Sequence, residues 1–237
     1  INNQEGKIAA QGNMQLHTAK LNNSAISAAG SQIIAAKDLQ INADQLLNTN
    51  TFSTAAQGID AENIQIYTQQ LDNQQGAIRA SDHSTLKVEQ QLNNTKGLIS
   101  ALKQLNIQSA SKLLNINNQK GQLLTGQTLD LTAQHLSGDG QVISLGDATI
   151  ELTKTYQHEK DAKLQANGQL HFTTQQDLLN AGDIIAGDVL NIHANNIVNT
   201  VDHASLQSKQ TLLNAQNNLK NLGLINGDLT VLKAKQI

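Results

Sequence analysis

Apolar and polar positions alternate with a period of two in short runs, and the runs recur along the chain. From Leu71 the sequence reads LDNQQGAIRAS, and from Leu92 it reads LNNTKGLISAL. In both, a leucine opens a polar pair, with glycine five positions on, an aliphatic residue at +7 and alanine at +9. A second alternating run follows each, through Leu86 and Val88 in one and Leu105 and Ile107 in the other. Period two puts the I-x-A and L-x-I-x-A side chains on one face of a strand and the intervening Gln, Lys, Ser and Thr on the other. Runs of about five residues are too short for an amphipathic helix and typical of strands. The pattern predicts two short strands and a turn per unit.

The same register begins near Ile1 (Gly6, Ile8, Ala10, Met14, Leu16), near Leu21 (Ile34, Ala36, Leu39, Ile41, Ala43) and near Leu46 (Ile59, Ala61, Ile64, Ile66). Later units open near Leu114 (Gly121, Leu124, Gly126), Leu136, Tyr156, Leu179 (Gly182, Ile185, Gly187), Val198 and Leu219. About eleven units of roughly 22 residues result, shorter than helical solenoid repeats. One such coil cannot bury its own apolar face, so coils must stack, each strand pairing in parallel with its equivalents above and below. The expected fold is all-β, a parallel β-helix occupying residues 1–237 as a single repeat domain. At about 4.8 Å per coil it forms a rod roughly 50 Å long. Because the chain begins and ends in mid-pattern, the expectation is a portion of a longer filament.

Polar positions repeat too. Asn follows the opening Leu at Asn22, Asn93, Asn115 and Asn180. Stacked asparagines can form amide ladders at the strand spacing, and Asn also suits a left-handed turn; both can hold at once. Units opening at Leu21 and Leu46 run to about 25 residues, with extra stretches SAISAAGS and TNTFSTAAQ. Residues 137–161 blur the period most, which predicts an irregular repeat with a loop insertion. Loops projecting from one face of a solenoid often bind. Within this segment KTYQHEKD, the most charged and aromatic of the interruptions, makes Tyr156, His158, Glu159 and Lys160 candidate receptor-contact residues. The competing reading is a solvated turn between strands.

Composition narrows the chemistry. Phe52, Phe172, Tyr67 and Tyr156 are the only aromatic residues, so the core must be thin and aliphatic. There is no proline, which suits backbone N–H groups engaged in ladders. The 16 glycines and many asparagines provide positive-φ and sharp-bend positions for turns. A net charge of −3, with Arg79 the only arginine, leaves no basic patch and argues against nucleic acid as a partner. Zero cysteines rule out disulfides and thiol chemistry. No apolar run reaches the roughly 20 residues that span a bilayer, and INNQEGKIAA has no signal-peptide character. The histidines (His17, His83, His135, His158, His171, His193, His203) show no metal-ligand spacing, and Asp139 and Asp147 sit outside any calcium-loop motif. Acidic residues fall one or two per coil, without the convergent carboxylates a β-helix lyase or hydrolase needs. No catalytic, cofactor or metal residues are therefore expected, and the chain reads as a non-enzyme.

The unit L-[ND]-N-x-x-G-x-I-x-A-x-x-x-L-x-I-x-A, clearest in LNNTKGLISALKQLNIQSAS, resembles the filamentous haemagglutinin repeats of large exoproteins exported by two-partner secretion. The stretch AKLQANGQLHFTTQQDLLNAGDIIAGDVLNIHANNIVN is most similar to contact-dependent growth inhibition effectors of the CdiA type. The resemblance covers almost the whole chain and is weakest at 137–161. It implies a right-handed β-helix, secreted through an outer-membrane transporter and exposed on the outer surface of a Gram-negative bacterium. It further implies a structural or adhesive segment that presents a receptor-binding region or toxin to an outer-membrane receptor or other surface of a target cell. An inert spacer stalk and, from another class, a carbohydrate-active β-helix enzyme are the alternatives. The family motif consists of core and turn positions, so it carries no catalytic residue across.

Overall fold

Each I-x-A run forms a strand that pairs in parallel with its counterpart one coil along. The computed structural model describes residues 1–27, 30–52 and 57–237. Among them there is no helix, and eleven such strands make a first wall from Lys7–Ala10 to Leu224–Asn226. The L-x-I-x-A runs make a second wall from Met14–Asn22 to Leu229–Lys233, also parallel throughout. The result is a β-solenoid of about eleven turns.

Each turn has three walls, where the sequence predicts two strands. The third is built around the opening leucine, in strands such as Asn115–Asn117, Tyr156–His158, Leu178–Asn180 and Ile197–Asn199. In the first four coils the second-wall strand bends and runs on into the third. His83–Asn93 thus pairs with Gln104–Gln108 through one half and with Asn115–Asn117 through the other. A three-residue wall offers one inward apolar residue, too few to register as an alternation.

Inward side chains stack in columns. Ile33, Ile59, Ile78 and Ile99 follow one another along the first wall, and Ile66, Leu86, Ile107 and Leu131 along the second, all at most 1% exposed. Ladder register also resolves the apolar doublets. Ile33, Ala35, Leu123 and Ile184 face the core, and Ile34, Ala36, Leu124 and Ile185 do not, contrary to the sequence expectation. Period two cannot choose between adjacent apolar residues; pairing with the neighbouring coil does. The third-wall column likewise uses Ile116, Leu178 and Ile197 at openings placed near Leu114, Leu179 and Val198.

Turn glycines are selected by close approach. Gly76 N–H donates to Asn73 O at 2.9 Å to close a tight turn, and a Cβ on Gly76, Gly97 or Gly121 would overlap the carbonyl oxygen of Asn48, Asn73 or Asn94 one coil back. Positive φ falls instead on the preceding residue, as at Gln75 (50°), Lys96 (54°) and Lys120 (52°).

A second column runs inside the third-wall corner. Asn23 Nδ2 donates to Asn48 Oδ1, Asn48 to Asn73, Asn73 to Asn94 and Asn94 to Asn118, each at 2.8 Å. Each amide spends its second N–H on a first-wall carbonyl, as Asn94 does on Gln122 O at 3.2 Å. Asn180, Asn199 and Asn221 repeat the arrangement at 2.8 and 2.9 Å. The expected ladder therefore exists, but besides Asn180 it uses Asn23 and Asn94, the residues after Asn22 and Asn93, and Asn118, three after Asn115. Asn22 and Asn93 point outward, and Asn115 is exposed.

The expected loop insertion at 137–161 is corrected by the structure. His135–Ser137, Gln141–Ser144, Asp147–Leu152 and Tyr156–His158 take their places in the three walls, joined by short turns. Stacking leaves little room for irregularity, because each strand's backbone groups must meet those of the coils on either side.

Candidate functional site

Tyr156–His158 alternates inward, outward, inward, as Leu71–Asn73 does four coils earlier. Tyr156 takes the opening-leucine position and His158 the ladder-asparagine position, opposite Asn180. Both are buried, Tyr156 at 3% and His158 at 0% exposure. Tyr156 packs on Phe172 with ring centroids 5.2 Å apart, and its hydroxyl meets His158 Nδ1 at 2.9 Å while His158 Nε2 meets Asp183 O at 3.0 Å. Burial pushes the Tyr156 hydroxyl well above its ordinary value, with the Glu159 charge adding to the rise. Burial also drops His158 to about 4, against smaller raising contributions from Asp183 and Ala162.

These two side chains cannot touch a receptor, which corrects half of the expected contact set. Glu159 and Lys160 do face solvent, in the turn closed by Ala162 N–H donating to Glu159 O at 3.1 Å. The turn is short and does not project.

The two longer units place a different surface at the other end of the rod. Ala25 N–H donates to Thr49 O at 2.9 Å and Phe52 N–H to Gln75 O at 2.9 Å, so the beginnings of both extra stretches stay in the ladder. Glu5 accepts from the backbone of Ile26 and Ser27 and from Ser27 Oγ, which holds its carboxyl below the usual range. A groove of about 1000 Å³ lies here, lined by Gln4, Ser24, Ile26, Phe52 and Lys96 among others. Ile26 is 73% exposed. Residues 28, 29 and 53–56, part of the stretches expected to project, lie outside the described residues.

The spacing of opening leucine, turn glycine and paired alternating strands, now fixed in space, compares directly with known repeats. Residues 146–223 match the haemagglutinin repeat. No curated protein and no solved structure matches the chain. The haemagglutinin repeat match includes the Tyr156–His158 coil and the Asn180–Asn199–Asn221 ladder. Coils before residue 146 stack in the same three walls, through pairings such as Thr128–Ala133 with Asp147–Leu152.

Proposed function

We propose that the chain is an adhesive filament segment of a protein secreted to the outer surface of a Gram-negative bacterium, displaying a binding surface or a toxin to a target cell. The observation that carries this reading is the haemagglutinin repeat at 146–223 within an uninterrupted solenoid. A parallel ladder reaches outward one coil at a time, which suits a stalk. Export through an outer-membrane transporter of a two-partner system, a role in contact-dependent inhibition of the CdiA type, and an outer-membrane receptor on the target belong to the same proposal. So does a non-catalytic role.

One observation favours the spacer alternative: Tyr156 and His158 are turned inward and satisfied by each other. The test is binding of the purified chain to intact Gram-negative cells, beside a variant with residues 159–161 replaced by Gly and Ser. Saturable binding supports the adhesive reading, and its loss in the variant assigns contact to Glu159 and Lys160. No binding by either protein makes this segment a spacer.

A further inference from the structure

Where Met14–Asn22, Asp38–Leu47, Asn63–Asp72 and His83–Asn93 bend from the second wall into the third, their outer faces enclose a groove of about 490 Å³. Register pairs His17 with Asn42, Asn42 with Tyr67 and Tyr67 with Lys87. Its floor therefore offers one side chain per coil, at steps of about 4.8 Å. Asp44 and Gln69 stand on the other side of the bend. The pairing of Asn63–Asp72 with His83–Asn93 shifts between Thr68 and Gln70, a bulge beside the groove of the kind that re-aims side chains. Lys87 Nζ sits over one face of the Tyr67 ring, 5.1 Å from its centroid.

Four polar side chains here are unpartnered, while the Tyr67 hydroxyl donates to Gln65 Oε1 at 3.3 Å and Thr68 Oγ1 to the carbonyls of Asp44 and Gln70. Among the described residues the side chains of His17, Asn42, Asp44 and Gln69 make no hydrogen bond or ion pair within the protein. Neighbouring columns satisfy themselves from coil to coil, as Gln45 does with Gln70 at 3.2 Å and Asn63 with Asp38 at 2.9 Å. Glu89, at the far end, is engaged by Ser109, Ala110 and Ser111. The groove thus holds the Tyr67 ring, an imidazole, free amides, a free carboxylate and a single ammonium group on Lys87.

We propose that this groove binds a neutral, extended oligosaccharide lying along the solenoid axis, one sugar ring per coil. The C–H face of a pyranose stacks on an aromatic ring, here the face of Tyr67 away from Lys87. Sugar hydroxyls both donate and accept, which matches the Asn42 and Gln69 amides, and vicinal hydroxyls donate in pairs to a carboxylate such as Asp44. A nucleic acid strand would need a run of cations. An added peptide strand would need an open backbone edge, and Asp38–Leu47, Asn63–Asp72 and His83–Asn93, which carry Asn42, Tyr67 and Lys87, are paired on both sides.

This inference rests on the adhesive reading and gives the partner of the segment a chemistry. The test is binding of the labelled chain to intact Gram-negative bacteria and to cultured epithelial cells, before and after periodate cleavage of the vicinal diols of their surface sugars. Tyr67→Ala, Asp44→Ala and Tyr67→Trp are compared with the unaltered chain after matching their circular dichroism. Expected is saturable binding that periodate abolishes, that weakens roughly tenfold in Tyr67→Ala and in Asp44→Ala, and that Tyr67→Trp retains. Binding that survives periodate or ignores both alanine substitutions overturns the glycan groove and leaves the adhesive reading standing. Absence of saturable binding of the unaltered chain to either cell type removes both.

Discussion

The Tyr156 hydroxyl lies 2.9 Å from Nδ1 of His158, whose other ring nitrogen lies 3.0 Å from Asp183 O. A carbonyl oxygen only accepts, so Nε2 carries the proton and Nδ1 accepts from the tyrosine. The pair therefore fills a leucine and an asparagine position with a neutral, fully satisfied ring.

Protonating that ring would put a second donor against the hydroxyl in a dry interior. Burial holds His158 near 4 in the folded chain against 6.5 for an ordinary histidine. As pH falls below 6.5 the unfolded chain takes up the proton first. Stability from this group is complete above 6.5 and declines toward pH 4 by on the order of 3 kcal/mol. The double variant Tyr156→Leu, His158→Asn restores the pattern of Leu178–Asn180 and has no such group. Thermal unfolding at pH 7 and pH 4.5 is expected to show a larger acid-induced fall in Tm for the unaltered chain. Equal falls would mean that His158 does not govern this window. The lowered carboxyls of Glu5 and Glu89 are common to both proteins and cancel.

The amide ladder makes a sharp distinction between two adjacent asparagines. Asn94 accepts from Asn73 and donates to Asn118 and Gln122 O, all in the interior. Asn94→Ala leaves those partners unsatisfied and is expected to cost about 2–4 kcal/mol. Asn93 faces outward, where its amide meets Asp72 at 3.0 Å, and Asn93→Ala is expected to cost less than about 1 kcal/mol. Urea midpoints of the two variants check the order.

Much of this was legible before the fold was known, and the failures have a common cause. The opening-leucine register already puts Tyr156 in a core position, and Tyr-x-His over Leu-x-Asn is the signal that would have placed His158 inside. Charge and aromaticity in KTYQHEKD pull the other way, because they describe a segment's average and not the side each residue takes. The ladder asparagines follow from counting two positions past the leucine, since period two returns to the same face there. Ile107 and Leu105, in an unambiguous alternation, face inward as expected. The bend groove was not legible: His17, Asn42, Tyr67 and Lys87 lie in separate coils, and only ladder register brings them together.

The repeat glycines separate into required and dispensable ones. A Cβ on Gly97 would overlap Asn73 O and crowd the Asn94 amide, both fixed by the ladder, whereas one on Gly12 meets nothing within 4 Å. Gly97→Ala is expected to destabilise by about 2 kcal/mol, through strain in a packed turn. Gly12→Ala is expected to be neutral or to stabilise by up to about 1 kcal/mol, since it restricts the unfolded chain. Similar Tm values for the two variants would show that the turn relaxes freely.

Ser84 interrupts an aliphatic column in the second wall. It pairs in register with Ile64 and Leu105, is 1% exposed, and its hydroxyl has no hydrogen-bond partner. A hydroxyl buried without a partner costs on the order of 1–3 kcal/mol, while the cavity left by removing one oxygen is small. Ser84→Ala is therefore expected to raise stability by about 1 kcal/mol, and Ser84→Val to match or exceed it by adding apolar contact and strand propensity. The readout is the urea midpoint at constant m value. A lower midpoint for Ser84→Ala would show that the hydroxyl is satisfied in solution, by a buried water bridging it to the ladder, and the interruption would then be a hydrated seam.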